Sequence, residues 1–385
     1  MAKKRDNGTG TIYQRTNGTW VGKIYLGRGE DGKEKFKYLS GKTEAEVKRK
    51  IREFNKSNEP VADKKTTLGE YATNWLCTYK KGTVKESSYD ALEKTLKNHV
   101  IPNLGMIQLH QVTPADIQRV LTKMKDGGGY SHSTIKKVYD FLGAMFRYAV
   151  AIDDVVKDPM LLVTMPDKRL FDNKEIKYFT QDECKLIVEE SSRCYRTGTP
   201  VYQYADVYIL MLHTGIRLGE AIGLLKTDWN RDERTLHIQR NIQPVANRDD
   251  NGNRLPGVKL SSNTTKTYSG NRIIPLNEAA TQAIERMCSA HPESELIVCS
   301  SKGTMVTHQR VERTFARILS NVGIEQAGPH SLRHTFASML FAQKTDVKTV
   351  SELLGHASIQ ITLNTYIHLI GDPKHSAVAK LDAAI

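Results

Sequence analysis

Near the C-terminal end of the 385-residue chain, His330, Arg333 and His334 stand at i, i+3 and i+4 within HSLRHTFAS. The apolar residues Leu332, Phe336, Met339 and Leu340 recur around them at helical spacing. Three potentially cationic side chains on one helical turn suit a metal, a core contact or a phosphate. The metal reading has the i, i+4 histidines of a zinc-protease helix but lacks its general-base glutamate, because Ser331 stands there. The i, i+3 pair, His330 and Arg333, presents an imidazole and a guanidinium fork side by side to one phosphate, which leaves His334 to face the core.

Three further stretches carry reactive side chains. TGIRLGEAIGLL sets Arg217 at the head of a helix. That is the wrong end for the helix dipole, so the arginine is there for a partner, either a carboxylate such as Glu220 or an anion from outside. TTKTYSGNR sets Lys266 before a turn that leads into the strand-like RIIPL, where a lysine is either solvated or aimed at a ligand. LLGHASIQITLNTYIHL ends one helix at Gly355, places His356 in the turn, and puts Tyr366 on the next helix with Ile359, Thr362 and Leu363. A core tyrosine with a satisfied hydroxyl fits that face as well as a reactive one.

The elements that position these residues form the third of three segments. Residues 1–65 contain three β-rich runs, TGTIYQR, TWVGKIYL and EKFKYL, separated by Asn17-Gly18 and Asp31-Gly32 turns and followed by a helix that opens on Thr43 to Glu46. Residues 66–160 show four helical periods, separated in part by IPNLG at 101–105 and GGG at 127–129. A Pro-containing linker at 160–175 leads to residues 175–385, mostly helical with a β interlude in which a long polar stretch separates LHIQRNI from NRIIPL. The predicted architecture is multidomain and mainly α: a three-stranded sheet with one helix, a helical bundle, and a mixed, mostly helical C-terminal domain with a small sheet.

Composition narrows the partner. The chain has 56 Lys+Arg against 43 Asp+Glu, a net charge of +13, and residues 1–65 alone hold 17 against 9, a net of +8. A basic excess of that size points to an anionic polymer or surface. Lys35 and Lys37 alternate with Phe36 and Tyr38, and Lys23 is expected to join the lysine face from the central strand, as in a sheet that reads DNA. The five cysteines are scattered without a CxxC, which argues against a disulfide framework or zinc module. MAKKRDNGTG opens no signal peptide, and no run approaches the roughly 18 apolar residues of a spanning helix. A soluble, non-secreted protein is expected.

Taken together, TGIRLGE, the lysine of TKT followed by RIIPL, HSLRHTFAS, LLGH and a tyrosine ten residues after that histidine resemble the catalytic signature of tyrosine recombinases, the phage-integrase family. Within it the chain is most similar to the integrases of conjugative transposons, and the resemblance spans all three segments: an arm-type DNA-binding domain (1–65), a core-binding helical domain (66–160) and a catalytic domain (175–385). It implies Arg217, Lys266, His330, Arg333 and His356 as the site and Tyr366 as nucleophile, with Lys259 the rival for the lysine.

The implied chemistry is coherent. Two arginines hold the non-bridging oxygens of a phosphodiester. A phenol of pKa about 10 needs a base, for which His330 is placed. Lys266 protonates the leaving 5′ oxygen, His356 bonds a non-bridging oxygen, and Glu220 braces the arginine helix. Exchange of a phosphodiester for a phosphotyrosine conserves the bond energy, so no metal, ATP or other cofactor is expected. The resemblance further implies double-stranded DNA with core and arm sites, a tetramer passing through a Holliday junction, a small directionality factor, no membrane, and a bacterial cytoplasmic, nucleoid-associated location. The rival readings are a type IB topoisomerase and a non-catalytic DNA-binding regulator on the same fold.

Overall fold

The computed structural model describes residues 11–16, 18–28, 34–57, 65–127, 129–171, 177–249, 252–264 and 270–366. The chain divides into two compact units, residues 1–84 with 91–171 and residues 85–90 with 172–385.

The first unit opens with β1 (Thr11–Gln14), β2 (Trp20–Arg28) and β3 (Glu34–Gly41), an antiparallel sheet in that order, followed by α1 (Glu44–Ser57). Gly18 takes φ +79°, the left-handed conformation that the first hairpin turn requires. Helix α1 lies so close to β2 that a Cβ on Gly22 would come within 2.7 Å of Ile51 and 2.8 Å of Val47. The register pairs Lys23 with Tyr38 and Ile24 with Lys37. Because directly paired residues point to the same face, Lys23 shares the face of Phe36 and Tyr38, and its ammonium sits 3.6 Å from the centre of the Phe36 ring. Lys37 lies on the opposite face, towards Phe54 of α1. The expected common lysine face is therefore corrected by the cross-strand register, which alternation within β3 alone does not reveal. The side chain of Lys35 is not among those described.

The helical part contains α2 (Leu68–Trp75), α3 (Glu86–Thr95, whose residues 86–90 count with the second unit), α4 (Ile101–Leu104), α5 (Pro114–Asp126) and α6 (His132–Ala151). Helices α2 and α3 each run on through one wider turn, to Lys80 and Val100. Thr67 and Thr113 close capping boxes with Glu70 and Asp116, which explains why α2 and α5 start where they do. IPNLG, expected to separate helices, instead continues the helical run as α4, with Pro102 directly after the wider turn that ends at Val100. Leu68, Trp75, Ile117, Leu121, Phe141 and Phe146 fill the core, with Trp75 edge-on to Phe141.

The second unit is built from α7 (Gln181–Ser191), α8 (Ala205–Thr214), α9 (Leu218–Ile222), β4 (Trp229–Asn230), β5 (Thr235–Ile238), β6 (Arg240–Arg248), β7 (Arg254–Thr264) and β8 (Arg272–Pro275). They are followed by α10 (Glu278–Ala290), α11 (His308–Asn321), α12 (His330–Ala342), α13 (Val347–Leu354) and α14 (Ile359–Tyr366). Strands β4, β5 and β8 form one antiparallel sheet, and β6 pairs with β7. The polar stretch expected between the two strand-like runs is thus itself a hairpin. Its polar residues mask a strand whose Ile242, Val245 and Ala246 are buried. Helix α8 is apolar on nearly every side and runs through the main core, against Phe315 and Leu332.

Helix α9 packs on β6 through Gly219, where a Cβ would lie 2.1 Å from Asn241 Oδ1 and 2.4 Å from the Ile242 carbonyl oxygen. Gly219→Ala should therefore destabilise this unit by roughly 1–3 kcal/mol, the usual cost of overpacking. Thermal unfolding reads the change, and an unaltered midpoint would contradict this packing.

Candidate active site

Helix α12 starts at His330, directly after Pro329, so its first full turn carries His330, Arg333 and His334 on one side. The two imidazole rings meet edge to face, with centroids 4.8 Å apart. Arg333 is 2% exposed. Its Nη1 donates to the Gly215 carbonyl at 2.8 Å. Its Nη2 is buried with no hydrogen-bond partner among the described residues. Gly215 ends α8 at φ +65°, and a Cβ there would meet the Phe336 ring at 2.4 Å, so the approach of α8 to α12 depends on this glycine.

Arg217 caps α9, as the sequence indicates, and the sequence reading of Glu220 as its brace matches the geometry. The Arg217 backbone N–H donates to Glu220 Oε2 at 2.9 Å and its Nη1 donates to Oε1 at 2.7 Å. A third guanidinium joins them. Arg272 of β8 donates through Nη2 to Glu220 Oε2 at 2.9 Å and through Nε to the Leu353 carbonyl at 2.7 Å, tying α9 to the end of α13. Burial opposes the charge on Glu220, but Arg272 and Arg217 outweigh it and hold its carboxyl below the usual range. Arg272 is absent from the sequence-based site. The signal for it is the alternation of β8, which puts it on the same face as the buried Ile274 while Ile273 is exposed.

Gly355 closes α13 at φ 66°, ψ 45°, which turns the chain so that His356 follows at once. His356 Nδ1 shares a 2.8 Å hydrogen bond with the hydroxyl of Thr362, a buried residue of α14. Burial, with Arg333 and Arg217 nearby, pushes the His356 imidazole down to about 3, so it is neutral at pH 7.

Tyr366, at the end of α14, is 1% exposed and packs with Ala337, Phe341, Val350 and Leu354. Its hydroxyl lies 2.7 Å from His334 Nδ1. Sequence reasoning placed His330 as the base for this phenol and turned His334 into the core. The fold puts Tyr366 beside Phe341 and His334 instead, which brings the fifth residue of the helix, and not the first, to the phenol. Burial pushes the Tyr366 hydroxyl up to about 12 against the opposing pull of Arg333 and Arg217.

The structure thus brings Arg217, His330, Arg333, His356 and Tyr366 to the ends of helices α9, α12, α13 and α14. Lys266 lies outside the described residues. Its rival Lys259 is opposite Val245 in the β6–β7 hairpin, with its ammonium 3.6 Å from Glu86. Among the described residues no three His, Cys, Asp or Glu side chains are grouped as metal ligands, and no helix is long and apolar enough to cross a membrane. Three guanidiniums facing one buried carboxylate leave positive charge unmatched. An unpaired Arg333 nitrogen beside an exposed His330 offers hydrogen bonds to an anion with several acceptor oxygens.

Comparison with known proteins agrees in extent and in fold. The Phage integrase family profile matches residues 177–371, and the N-terminal SAM-like domain of phage integrases matches residues 67–125. A tyrosine recombinase XerC-like protein of Caldanaerobacter subterraneus subsp. tengcongensis is 28% identical over 402 residues, covering 96% of this chain and 99% of its own. The transposase from transposon Tn916 of Enterococcus faecalis is 24% identical, over 72% of this chain and 69% of its own. Among solved structures, the Tn1549 transposon integrase in complex with a circular intermediate DNA superposes with a TM-score of 0.67 at 22% identity, covering 82% of this chain and 99% of that one. A lambda integrase tetramer bound to a Holliday junction gives 0.57 at 17% identity, covering 94% and 96%.

The half-buried imidazoles carry a pH signature. His334 is pushed down to about 4 by burial, His330 and Arg333, and His356 to about 3, both from 6.5. Each binds its proton more weakly folded than unfolded. Their stabilisation is therefore complete above pH 6.5 and drains as pH falls towards these values, by at most about 1.4 kcal/mol per pH unit per group. Glu220, also depressed, adds its loss only below its usual 4.5. Urea unfolding across this window should show a falling midpoint, and a shallower fall in His356→Asn. A midpoint that stays level below pH 6.5 would contradict histidines held neutral by the fold.

Proposed function

Since the chain belongs to the phage integrase family, the tyrosine recombinases, we propose that it is a site-specific DNA recombinase that integrates and excises a mobile element through a 3′-phosphotyrosyl intermediate. The observation that carries the reading is the buried, unpaired Nη2 of Arg333 on the helical turn whose His334 holds the hydroxyl of Tyr366. A scissile phosphate seated there replaces the missing partner of Arg333. Arg217, held by Glu220, approaches the second non-bridging oxygen, and the two forks stabilise the charge that grows as the fifth bond to phosphorus forms. His330 and His356 donate hydrogen bonds to the same oxygens. Tyr366 attacks, the bond from phosphorus to the 5′ oxygen breaks, and Lys266 gives that oxygen its proton. A 5′-hydroxyl from a second duplex then reverses the step.

Partners follow from the same reading. The DNA complex of the Tn1549 integrase and the lambda tetramer on a Holliday junction support double-stranded DNA as substrate and a tetramer as the working assembly for this chain. Residues 66–160 and 175–385 engage the core site. Residues 1–65 engage an arm site through the sheet face that carries Lys23 and Tyr38, with Lys37 on the other face. A small directionality factor sets the balance between integration and excision, and the bacterial cytoplasm, at the nucleoid, is the place of action. No observation favours relaxation of supercoils or a purely regulatory role.

The test is a nicked suicide duplex carrying the core site. Tyr366→Phe should abolish the covalent adduct with DNA affinity nearly intact, and Lys266→Ala should slow cleavage by about 10²–10⁴. Sulfur in place of the bridging 5′ oxygen leaves without a proton, so it should rescue Lys266→Ala and not Tyr366→Phe. Rescue of Lys259→Ala instead moves the acid to Lys259, and an adduct formed by Tyr366→Phe refutes the nucleophile.

A further inference from the structure

We infer that His334 is the general base of the cleavage step, taking the proton of Tyr366 as the phenol oxygen attacks phosphorus. The inference rests on the proposed role of Tyr366 as nucleophile and replaces His330 as its base. Three observations carry it. The hydroxyl of Tyr366 and Nδ1 of His334 are 2.7 Å apart, a full hydrogen bond. The tyrosine is 1% exposed, so bulk water does not serve as the acceptor. Among the described residues His334 is the one hydrogen-bond partner of that hydroxyl, so a His334 that donated from Nδ1 would leave the phenolic hydrogen buried without an acceptor, which is costly. The phenol therefore donates, and Nδ1 carries the free lone pair.

The step balances within these residues. The O–H bond of Tyr366 breaks as the bond from its oxygen to phosphorus forms, the proton passes to Nδ1 of His334, and the 5′ oxygen leaves with a proton from the lysine. On rejoining, the 5′-hydroxyl attacks the phosphotyrosine and gives its proton back to the lysine, while the imidazolium returns its proton to the departing phenolate. His334 is thus base in one direction and acid in the other.

The surroundings time the transfer. With His334 pushed down to about 4 and Tyr366 up to about 12, the proton stays on the phenol in the free protein. His330 and Arg333 are the neighbours that disfavour the imidazolium. A phosphodiester between Arg333 and His330 supplies the opposing negative charge, and bonding to phosphorus strips the phenol oxygen of its affinity for the proton. Both changes occur only with DNA in place, so the nucleophile is activated by its substrate.

His334→Asn separates this role from packing and positioning, because the Asn oxygen still accepts the hydrogen bond and cannot take the proton. On the nicked duplex, His334→Asn should keep DNA affinity and slow adduct formation by about 10²–10⁴. A fluorinated tyrosine at position 366, whose phenol is more acidic, should recover part of that loss. A rate close to that of the unaltered chain overturns the assignment, and a faster rate identifies the hydrogen bond as a latch on the nucleophile instead. Should the variant fold poorly, the unaltered chain gives the answer on the 5′-thio substrate. There the leaving group needs no proton, so a normal solvent deuterium isotope effect reports the phenol's proton in flight, and its absence overturns the base. If the unaltered chain forms no adduct, or Tyr366→Phe forms one, the recombinase reading fails, a result distinct from either of these.

Discussion

Two guanidiniums, Arg217 and Arg272, share the carboxylate of Glu220, and a third, Arg333, is buried nearby without a carboxylate of its own. Arg217 and Arg272 divide the two oxygens of Glu220, whose side chain is 2% exposed, while Arg333 has only a carbonyl. At an effective dielectric of 20, two like charges 4 Å apart repel by about 4 kcal/mol, so such a cluster is tolerated only where the fold holds it together. Gly215 brings the α8 terminus under Arg333, Gly219 lets α9 lie on β6, and Arg272 locks β8 to the end of α13. Under the proposed function, a phosphate bonded to the unpaired Nη2 of Arg333 would relieve that repulsion, which suits the cluster to a reaction in which phosphate charge grows.

Much of this was legible in the sequence wherever the signal is local. The helix that carries His330, the arginine at the head of α9 and the glycine turn before His356 all follow from residue types at fixed offsets, and each is where those offsets place it. What was hidden depends on chain segments far apart. Lys23 joins the aromatic face because of its register against β3, and the β6–β7 hairpin exists because its few apolar residues meet the core. Arg272 belongs to the site through an acid 52 residues away. His334 and Tyr366 are 32 residues apart, and no periodicity within either helix announces that one will bond the other.

Tyr366 joins two readings that seemed exclusive. It is a core tyrosine with a satisfied hydroxyl, packed on Phe341 and Leu354, and it is also the hydroxyl held beside the arginine cluster. Burial makes this phenol harder to ionise, so the free protein holds it protonated, and the proposed role as nucleophile requires DNA to change that. The two roles are compatible because the hydroxyl's partner in the core is itself a group able to carry a proton.

Mapping the covalent adduct tests the account most directly. The unaltered protein, trapped on a nicked core-site duplex and digested, should yield one nucleotide-bearing peptide in mass spectrometry, with the 3′-phosphate esterified to Tyr366. Attachment to another of the 16 tyrosines, or to any serine, would contradict the placement of the nucleophile and with it the reading of the arginine cluster as the seat of the scissile phosphate.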